Sequence, residues 1–378
     1  MDYSIGEKHE SVILAEFKFY KYVILEEDKV TELVVGIVGF GGMGGWHCDI
    51  LGEIEGCRVA GIYDIKESQK KKAIDKGIRS YDSLEEVLAD DEINLILIAT
   101  PNDVHKDIAV KAMRAGKHVV SEKPVTLSSK DLQVMIDASQ ESGRFFTVHQ
   151  NRRWDEDFLT IKKIYDENKL GEIFRIESRV HGSRGIPGDW RQEKEYGGGM
   201  ILDWGVHLLD QILLMLEGRK LKKVYSTITN VTNQLVDDGF TCHLIFDGNL
   251  EVIVEVGTSN FISLPRWYVL GADGSAIIED WDLNGRIVKA TGVNETDVVP
   301  VHTASGITKT MAPRRDDTIH VEDLPVVKSD IKDFYRNVRK VVLENEEPKV
   351  KLDEVMRVMK LMESIFESAE NQKVVDFE

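Results

Sequence analysis

From residue 33 onward, short apolar runs alternate with helical patterns, and this rhythm constrains the fold more than any other feature. The runs lie at residues 33–38, 59–63, 95–99, 118–121 and 145–148. Such runs are typical of strands buried on both faces of a parallel sheet. Helical patterns between them end at Gly116 and Gly143, since glycine commonly terminates helices. The alternation predicts a doubly wound α/β Rossmann domain over residues 33–151.

After residue 152 the pattern becomes one of apolar residues alternating with polar ones. It occurs at residues 174–180, 240–246 and 250–256, with a hairpin turn at 247–249. Period-two alternation indicates an antiparallel sheet with one polar face. We therefore expect a second, α+β domain over 152–378 that binds the substrate and makes subunit contacts. It has long loops near 285–325 and two closing helices. Residues 1–32 are an extension of open role, with an apolar stretch at 17–25.

The charge balance limits the classes of partner. The chain has 48 Lys+Arg and 66 Asp+Glu, a net charge of −18. So acidic a surface repels nucleic acids and anionic membranes, and we expect neither as a partner. The N-terminus has no signal-peptide pattern, and the three cysteines have no metal-knuckle or paired spacing. The composition predicts a cytoplasmic protein with buried, unpaired cysteines and no bound metal.

A glycine-rich motif directly follows the first apolar run: Gly39-Phe40-Gly41-Gly42-Met43-Gly44. In the G-x-G-x-x-G pattern, the first glycine makes a tight turn and the second lets the backbone approach a pyrophosphate. The third allows close contact between helix and strand. The amides of the following helix then bind phosphate. The strand–loop–helix context predicts a dinucleotide site rather than an ordinary turn.

An acidic residue at the end of the second run bears on the choice of cofactor. Asp64 lies 20 residues after Gly44. A carboxylate there accepts hydrogen bonds from the ribose hydroxyls and repels a 2′-phosphate, which favours NAD. Lys66 is close enough to accommodate such a phosphate, so NADP is the alternative.

Three further groups are candidates for chemistry. Lys123 follows the fourth run, where strand ends face the ligand crevice; it either polarises a substrate oxygen or is a solvated surface lysine. Asp203 and His207 are i and i+4 in a helical pattern, suited to a proton relay, a metal site or a simple surface pair. Trp190 and Arg191 form either a sugar-binding wall or a stacked structural pair.

Together, these motifs resemble the oxidoreductases named after glucose–fructose oxidoreductase, inositol dehydrogenase and a rhizopine catabolism protein. The resemblance covers about residues 33–378. Its anchors, in chain order, are 39–44, 99–105, 115–119, 122–124, 151–154 and 203–207. The family combines an N-terminal Rossmann domain with a C-terminal domain built on a large, open, mainly antiparallel sheet.

The resemblance implies hydride transfer from a secondary alcohol of a sugar or cyclitol to nicotinamide. His207 would be the general base, Asp203 would orient it or share the proton, and Lys123 would polarise the reacting oxygen. A cis Lys123–Pro124 bond is also implied. The cofactor cleft would include Thr100, Pro101, Asn102, His105 and Glu122 beside Lys123. The substrate side would include Arg153, Trp190 and Arg191.

Two features depart from the family pattern: the N-terminal extension, and Trp204, where smaller residues are common. Two alternatives therefore stay open. One is a glycoside 3-dehydrogenase whose loop 184–196 holds the aglycone of an O- or C-glycoside. The other is a sensor that binds NAD and a sugar without turnover, although retention of Lys123, Asp203 and His207 argues against it. The family's sheet face also implies a homodimer or homotetramer.

Overall fold

The first half of the chain builds the parallel sheet that the apolar runs predict. A computed structural model describes residues 31–292 and 298–377, so the predicted extension 1–32 lies almost wholly outside the described residues. The strands are β1 Leu33–Val38, β2 Cys57–Tyr63, β3 Leu95–Ile98, β4 His118–Ser121 and β5 Phe146–Val148. All pair in parallel, in the order β2-β1-β3-β4-β5.

Helices follow these strands at the predicted places. They are α1 Gly42–Gly52, α2 Glu67–Asp75, α3 Leu84–Ala89, α4 His105–Arg114 and α5 Ser129–Ser142. β1 lies between β2 and β3, so the connections diverge on either side of it, and the ends of β1 and β3 open onto a crevice. Ligands bind at such a switch point in open α/β sheets. The fold therefore places the glycine loop after β1 beside the Thr100 loop after β3.

The second sheet is larger and mostly antiparallel. Its strands are β6 Ile173–His181, β7 Leu221–Thr229, β8 Gly239–Phe246, β9 Glu251–Gly257, β10 Trp267–Gly271, β11 Gly274–Ile278, β12 Gly285–Ala290, β15 Ile319–Glu322 and β16 Val375–Asp376. The order is β15-β12-β11-β10-β6-β9-β8-β7-β16, and only β6 and β9 pair in parallel within it. A hairpin, β13 Val301–Thr303 with β14 Gly306–Thr308, stands apart. The region near 285–325, expected as loops, thus contributes the edge strand β15, its neighbour β12 and the separate hairpin.

Four helices belong to the second half of the described chain. They are α6 Glu156–Asp166, α7 Val206–Met215, α8 Lys332–Glu344 and α9 Leu352–Asn371. One face of the sheet is buried throughout, with residues such as Phe240, Val254 and Trp267. α7 packs on α9, and α9 packs on β7. The site residues Asp203 and His207 therefore rest on this core.

Two smaller predictions are also confirmed. Cys48, Cys57 and Cys242 are buried and unpaired. The Lys123–Pro124 peptide is cis. Within the described residues, no helix has the length and apolar character to cross a bilayer.

Candidate active site

The glycine loop has the geometry of a phosphate cradle. Gly39 has a φ of 92°, and a Cβ there would lie 2.5 Å from the Ala99 carbonyl oxygen. A Cβ on Gly44 would lie 2.0 Å from the Gly39 oxygen, so α1 packs tightly against the end of β1. A Cβ on Gly41 or Gly42 would meet no atom within 4 Å. The loop thus leaves open space where a diphosphate would approach the backbone.

Asp64 lies beside this loop at the end of β2. Its carboxylate accepts hydrogen bonds from the backbone N–H of Phe40 at 2.7 Å and of Lys66 at 2.8 Å. These bonds fix a negative charge at the rim of the crevice, where a ribose would lie. The predicted contact of Asp64 with a ribose stays a prediction.

The loop after β3 forms the opposite wall of the crevice. Thr100 has a buried Oγ1 with no hydrogen-bond partner in the described chain, Pro101 is exposed, and the Asn102 amide donates to the Tyr196 carbonyl at 3.2 Å. His105 differs from the prediction. Its ring is fully buried, with nitrogens 2.9 and 3.3 Å from the carbonyl oxygens of Thr100 and Val125. It therefore supports the loop instead of facing a cofactor.

Lys123 and Asp203 meet across the two halves of the chain. The Lys123 Nζ donates to the Asp203 backbone oxygen at 2.9 Å and to its Oδ1 at 3.2 Å. The Arg191 Nε donates to Oδ2 at 3.0 Å. Burial opposes ionisation of Asp203, but the Lys123 and Arg191 charges outweigh it and hold the pKa of this carboxyl below its usual range. An ammonium has three donors, so one N–H of Lys123 remains for a substrate oxygen.

His207 lies on the first turn of α7, one turn beyond Asp203. Its side chain is buried, and Nδ1 has no hydrogen-bond partner among the residues described. Burial, followed by the Lys123 and Arg152 charges, lowers the pKa of His207 well below its ordinary value. The ring is therefore neutral at neutral pH, which a general base requires.

Glu122 is not arranged as the resemblance implied. Its Oε1 accepts hydrogen bonds from His47 at 2.7 Å and His149 at 2.9 Å, and its Oε2 accepts from the backbone N–H of Lys123 at 3.0 Å. The Tyr335 hydroxyl in turn lies 2.6 Å from His47 Nδ1. With both carboxylate oxygens engaged, Glu122 fixes the backbone of Lys123 instead of facing a ribose.

This buried network also brings possible metal ligands together. One ligand atom each from His47, Glu122 and His149 lie within 4.8 Å of one another. Burial opposes ionisation of Glu122, but the two histidines lower its pKa well below the usual range. The hydrogen bonds from His47 and His149 to Glu122 explain why these three side chains lie together, so the cluster is a polar network.

Arg153, predicted to bind the substrate, lies away from the cavity, unlike the adjacent Arg152. Arg153 is buried and forms a two-pronged ion pair with Asp210, at 2.6 and 2.7 Å, and another bond to Glu354 at 2.6 Å. It joins the chain after β5 to α7 and α9. Its neighbour Arg152 instead lines a cavity. The sequence motif contains both arginines and gives no signal to separate them.

That cavity has a volume of about 570 Å³. Asp203 is one of its lining residues, and all of them belong to the second domain. The Arg152 guanidinium lies 4.2 Å from the ring centre of Trp204 and 5.7 Å from that of Trp281. Trp204, flagged as unusual by sequence, thus forms a wall. Trp281 gave no sequence signal, because it is 77 residues away in the chain.

The loop before the glycine run holds the predicted aromatic–arginine pair. The Arg191 guanidinium lies 4.6 Å from the Trp190 ring centre, while Arg191 also bonds Asp189 and Asp203. Trp190 is not among the residues that line the cavity. Of the two predicted alternatives, the structure therefore shows the stacked structural pair and not a sugar-binding wall. Arg191 belongs to the site only because it contacts Asp203.

A dinucleotide fits the residues present. The glycine loop offers open space, Asp64 offers a carboxylate, and Thr100 has an unpaired buried hydroxyl. A two-domain fold with this crevice and a Lys–Asp–His cluster at its mouth is typical of a nicotinamide-dependent oxidoreductase.

Comparison with known proteins agrees with this class. Residues 33–150 match the model of the oxidoreductase family with an NAD-binding Rossmann fold, GFO/IDH/MocA, and residues 158–277 match the GFO/IDH/MocA C-terminal domain. An uncharacterized oxidoreductase of Schizosaccharomyces pombe is 30% identical over 81% of this chain and 87% of its own length. The chain belongs to the GFO/IDH/MocA oxidoreductase family and is an NAD(P)-binding dehydrogenase.

Two further relatives extend the likeness over nearly the whole chain. A solved NAD-binding protein from Listeria innocua is 46% identical with a TM-score of 0.89, covering 92% of this chain and all of the other. The scyllo-inositol 2-dehydrogenase (NADP(+)) of Bacillus subtilis is 28% identical over 93% of this chain and 97% of its own.

Proposed function

We propose that the protein oxidises a secondary alcohol of a sugar or cyclitol. The observation that carries this proposal is the contact of Lys123 with Asp203 beside a buried, neutral His207. Bound NAD or NADP supplies the hydride acceptor. The substrate named for the Bacillus subtilis relative, an inositol, supports this class of alcohol.

Each side chain has a separate task in this proposal. The free N–H of Lys123 donates to the reacting oxygen and stabilises the charge that develops on it. His207 accepts the hydroxyl proton, since its low pKa keeps the ring unprotonated. Asp203 holds Lys123 and Arg191 in place through its two carboxylate oxygens. The hydrogen bonds of Asp203 run to these cations, so we assign it to positioning Lys123.

Other residues of the predicted site support the machinery. Glu122 fixes the backbone of Lys123. Gly39–Gly44, Asp64 and Thr100 are proposed to hold the cofactor, with Pro101 and Asn102 forming the wall beside them.

A second candidate, oxidation of a ring hydroxyl of a glycoside, is favoured by the size of the cavity beside Asp203. Its volume of about 570 Å³ lies within the roughly 300–1,000 Å³ range of sites for drug-sized ligands. A sugar ring at Lys123 would leave room there for an attached group. The wall of Trp204 and Trp281 is suited to an aromatic aglycone.

The test is the absorbance of reduced nicotinamide, with NAD and NADP offered separately against inositols, hexoses and glycosides. His207→Gln and Lys123→Met should each lower kcat by about 10²–10⁴, the usual contribution of an acid–base group, with unchanged affinity for NADH. His320→Gln and Lys328→Met, on exposed side chains, are the matched controls. Wild-type rates in both site variants would contradict the assignment, and dinucleotide binding without any turnover would favour the sensor.

A further inference from the structure

We propose that the substrate carries an anionic group, a carboxylate or a phosphate, which Arg184 binds in the cavity beside Asp203. The inference rests on the proposed function, because it names the class of sugar or cyclitol that the same site takes. It is carried by the distribution of charge around the cavity.

The charged side chains at this cavity pair off and leave one cation over. Asp203 is shared by Lys123 and Arg191, and Arg191 also pairs with Asp189 at 2.8 Å. These two cations and two carboxylates balance.

The basic side chains that line the cavity itself are Arg152, His181 and Arg184. Arg152 pairs with Asp155 at 2.9 Å, and His181 lies 3.2 Å from Glu255. Arg184 lines the same cavity and has no ion-pair partner in the part of the chain that the structure describes. The lining therefore contains one guanidinium, that of Arg184, whose charge no described carboxylate compensates, within a chain whose net charge is −18.

The backbone on either side of Arg184 is anchored. The Gly182 N–H donates to the Gly257 carbonyl at 2.8 Å, and the Gly185 N–H donates to the Thr258 carbonyl at 2.9 Å. Both acceptors lie at the end of β9 and line the cavity as well. Arg184 is thus presented from a loop fixed at two points, while its exposed side chain remains accessible to a ligand.

The wall formed by Trp204 and Trp281 belongs to the same cavity as Arg184. Arg152 lies over Trp204 and Trp281, and its Nε is buried without a hydrogen-bond partner in the described chain. A buried guanidinium N–H without an acceptor is costly. Arg152 and Arg184 both line this cavity, so it contains two guanidinium groups.

A guanidinium recognises carboxylate and phosphate with paired, charge-assisted hydrogen bonds. The structure favours neither anion, so both are tested. The probes are glucose, glucuronate and glucose 6-phosphate, which differ only at C6, together with inositol and an inositol monophosphate. Calorimetry measures binding to the NADH-loaded protein, and nicotinamide absorbance measures turnover.

We expect at least one anionic probe to bind more tightly than its neutral counterpart. Arg184→Ala should weaken that binding by about 10- to 100-fold, the usual value of a hydrogen bond to a charged group, and leave the neutral probe unchanged. Arg184→Lys should restore part of it. Arg336→Ala, at an exposed arginine on α8, controls for the loss of one positive charge.

Two results would overturn the inference: equal binding of neutral and anionic probes, or anion binding that Arg184→Ala leaves intact. Absence of binding by every anionic probe at millimolar concentration counts against it too. Anion binding through Arg184 with no hydride transfer would support this site and contradict the proposed function instead. Turnover of neutral sugars with no effect of Arg184 would do the reverse.

Discussion

Asp203 contacts two cations at once, and this arrangement sets the chemistry of its neighbours. It holds Lys123 and Arg191 through separate carboxylate oxygens. The Lys123 charge then lies near enough to His207 to lower the pKa of that ring, second only to burial. The cluster thus keeps a cation for the substrate oxygen and a neutral base for its proton at the same pH.

Removing the lysine charge should shift the pH profile. Lys123→Met abolishes one of the effects that hold the pKa of His207 down, so His207 should become protonated at a higher pH. We expect the acid limb of kcat/KM to move upward in this variant, on top of its lower rate. The measurement is kcat/KM against pH, with Lys328→Met as control. An acid limb that stays in place or moves downward would show that His207 is not the titrating base.

Asp64 offers a second test, of cofactor choice. Asp64→Asn keeps an acceptor for the Phe40 N–H but removes the charge that repels a 2′-phosphate. Repulsion between unit charges about 4 Å apart is worth roughly 1 kcal/mol even in water. We therefore expect the ratio of kcat/KM for NADP to that for NAD to rise by about fivefold or more. The control is Asp49→Asn, on the exposed face of α1. A constant ratio would mean that Asp64 does not contact the ribose.

Sequence identified the residue types of the site better than their partners. Lys123, Asp203 and His207 follow from motif and spacing. Glu122 and Arg153 were predicted to bind cofactor and substrate, but each side chain bonds another side chain of the protein. Glu122 bonds His47, 75 residues away, and Arg153 bonds Asp210, 57 residues away. Partners so distant in the chain are brought together only by the tertiary fold, so local patterns could not reveal them.

Among the elements, the turn that carries Asp203 departs most from expectation. The helical pattern with Asp203 and His207 at i and i+4 predicts an α-helix here, but Ile201–Gly205 is a π-helical turn that leads into α7. Single π turns are frequent at functional sites. The apolar spacing hardly distinguishes the two, because both bury the same side of the segment.

The start of this turn depends on Asp237. The Asp237 side chain accepts from the Ile201 N–H at 2.8 Å, and its backbone oxygen accepts from the Met200 N–H at 3.1 Å. A Cβ on Gly199, whose φ is 103°, would lie 2.2 Å from the Asp237 carboxylate. Only glycine therefore fits at the entrance to the turn, which explains part of the glycine run that precedes it.

Burial raises the pKa of Asp237 to about 7, and this predicts a pH-dependent stability. Because the folded-state pKa exceeds the unfolded value of about 3.9, stability falls as pH rises from about 4 to 7. Asp237→Asn keeps an acceptor and cannot ionise. We expect the melting temperature of the variant to exceed that of wild type by an amount that grows over this window. Above pH 7 the variant's free energy of unfolding should be higher by roughly 2–4 kcal/mol.

Thermal unfolding from pH 4 to 8 measures this difference, with Asp49→Asn as control. A difference independent of pH would contradict a shifted pKa at Asp237. A less stable variant at pH 8 would mean that the ionised carboxylate is the better partner for the turn.

The sheets divide in the same way between predictable and unpredictable elements. The parallel strands were predicted to within two residues, because burial on both faces leaves an uninterrupted apolar run. In the second sheet β6, β8 and β9 were predicted, whereas the nine-residue strand β7 was not, nor were the short strands β10, β11 and β12. Their alternation spans only five or six residues each, too short to separate from loop sequence.

At the scale of the whole molecule, one face of the second sheet is covered and the other is open among the residues that the structure describes. Paired residues in neighbouring strands point to the same side. The register joins Ile245, Glu251, Arg175, Leu270 and Val321 on the face opposite the buried core. Ile245 and Val321 are 36% and 55% exposed. On this face, the charged residues Glu251 and Arg175 lie on central strands, and the apolar residues Ile245 and Val321 lie towards the two sides. The surface is therefore amphipathic.

This open face is where we predict the contact between subunits of a dimer or tetramer. A two-fold contact places the same patch on both copies, so a substitution there acts twice. Light scattering after size exclusion should give a dimer or tetramer at micromolar concentration. Tyr225→Glu with Ile245→Lys, both on this face, should lower that mass. Ile65→Lys, at an exposed position after β2, should not. A wild-type monomer, or an assembly that the double variant leaves intact, would exclude this face as the interface.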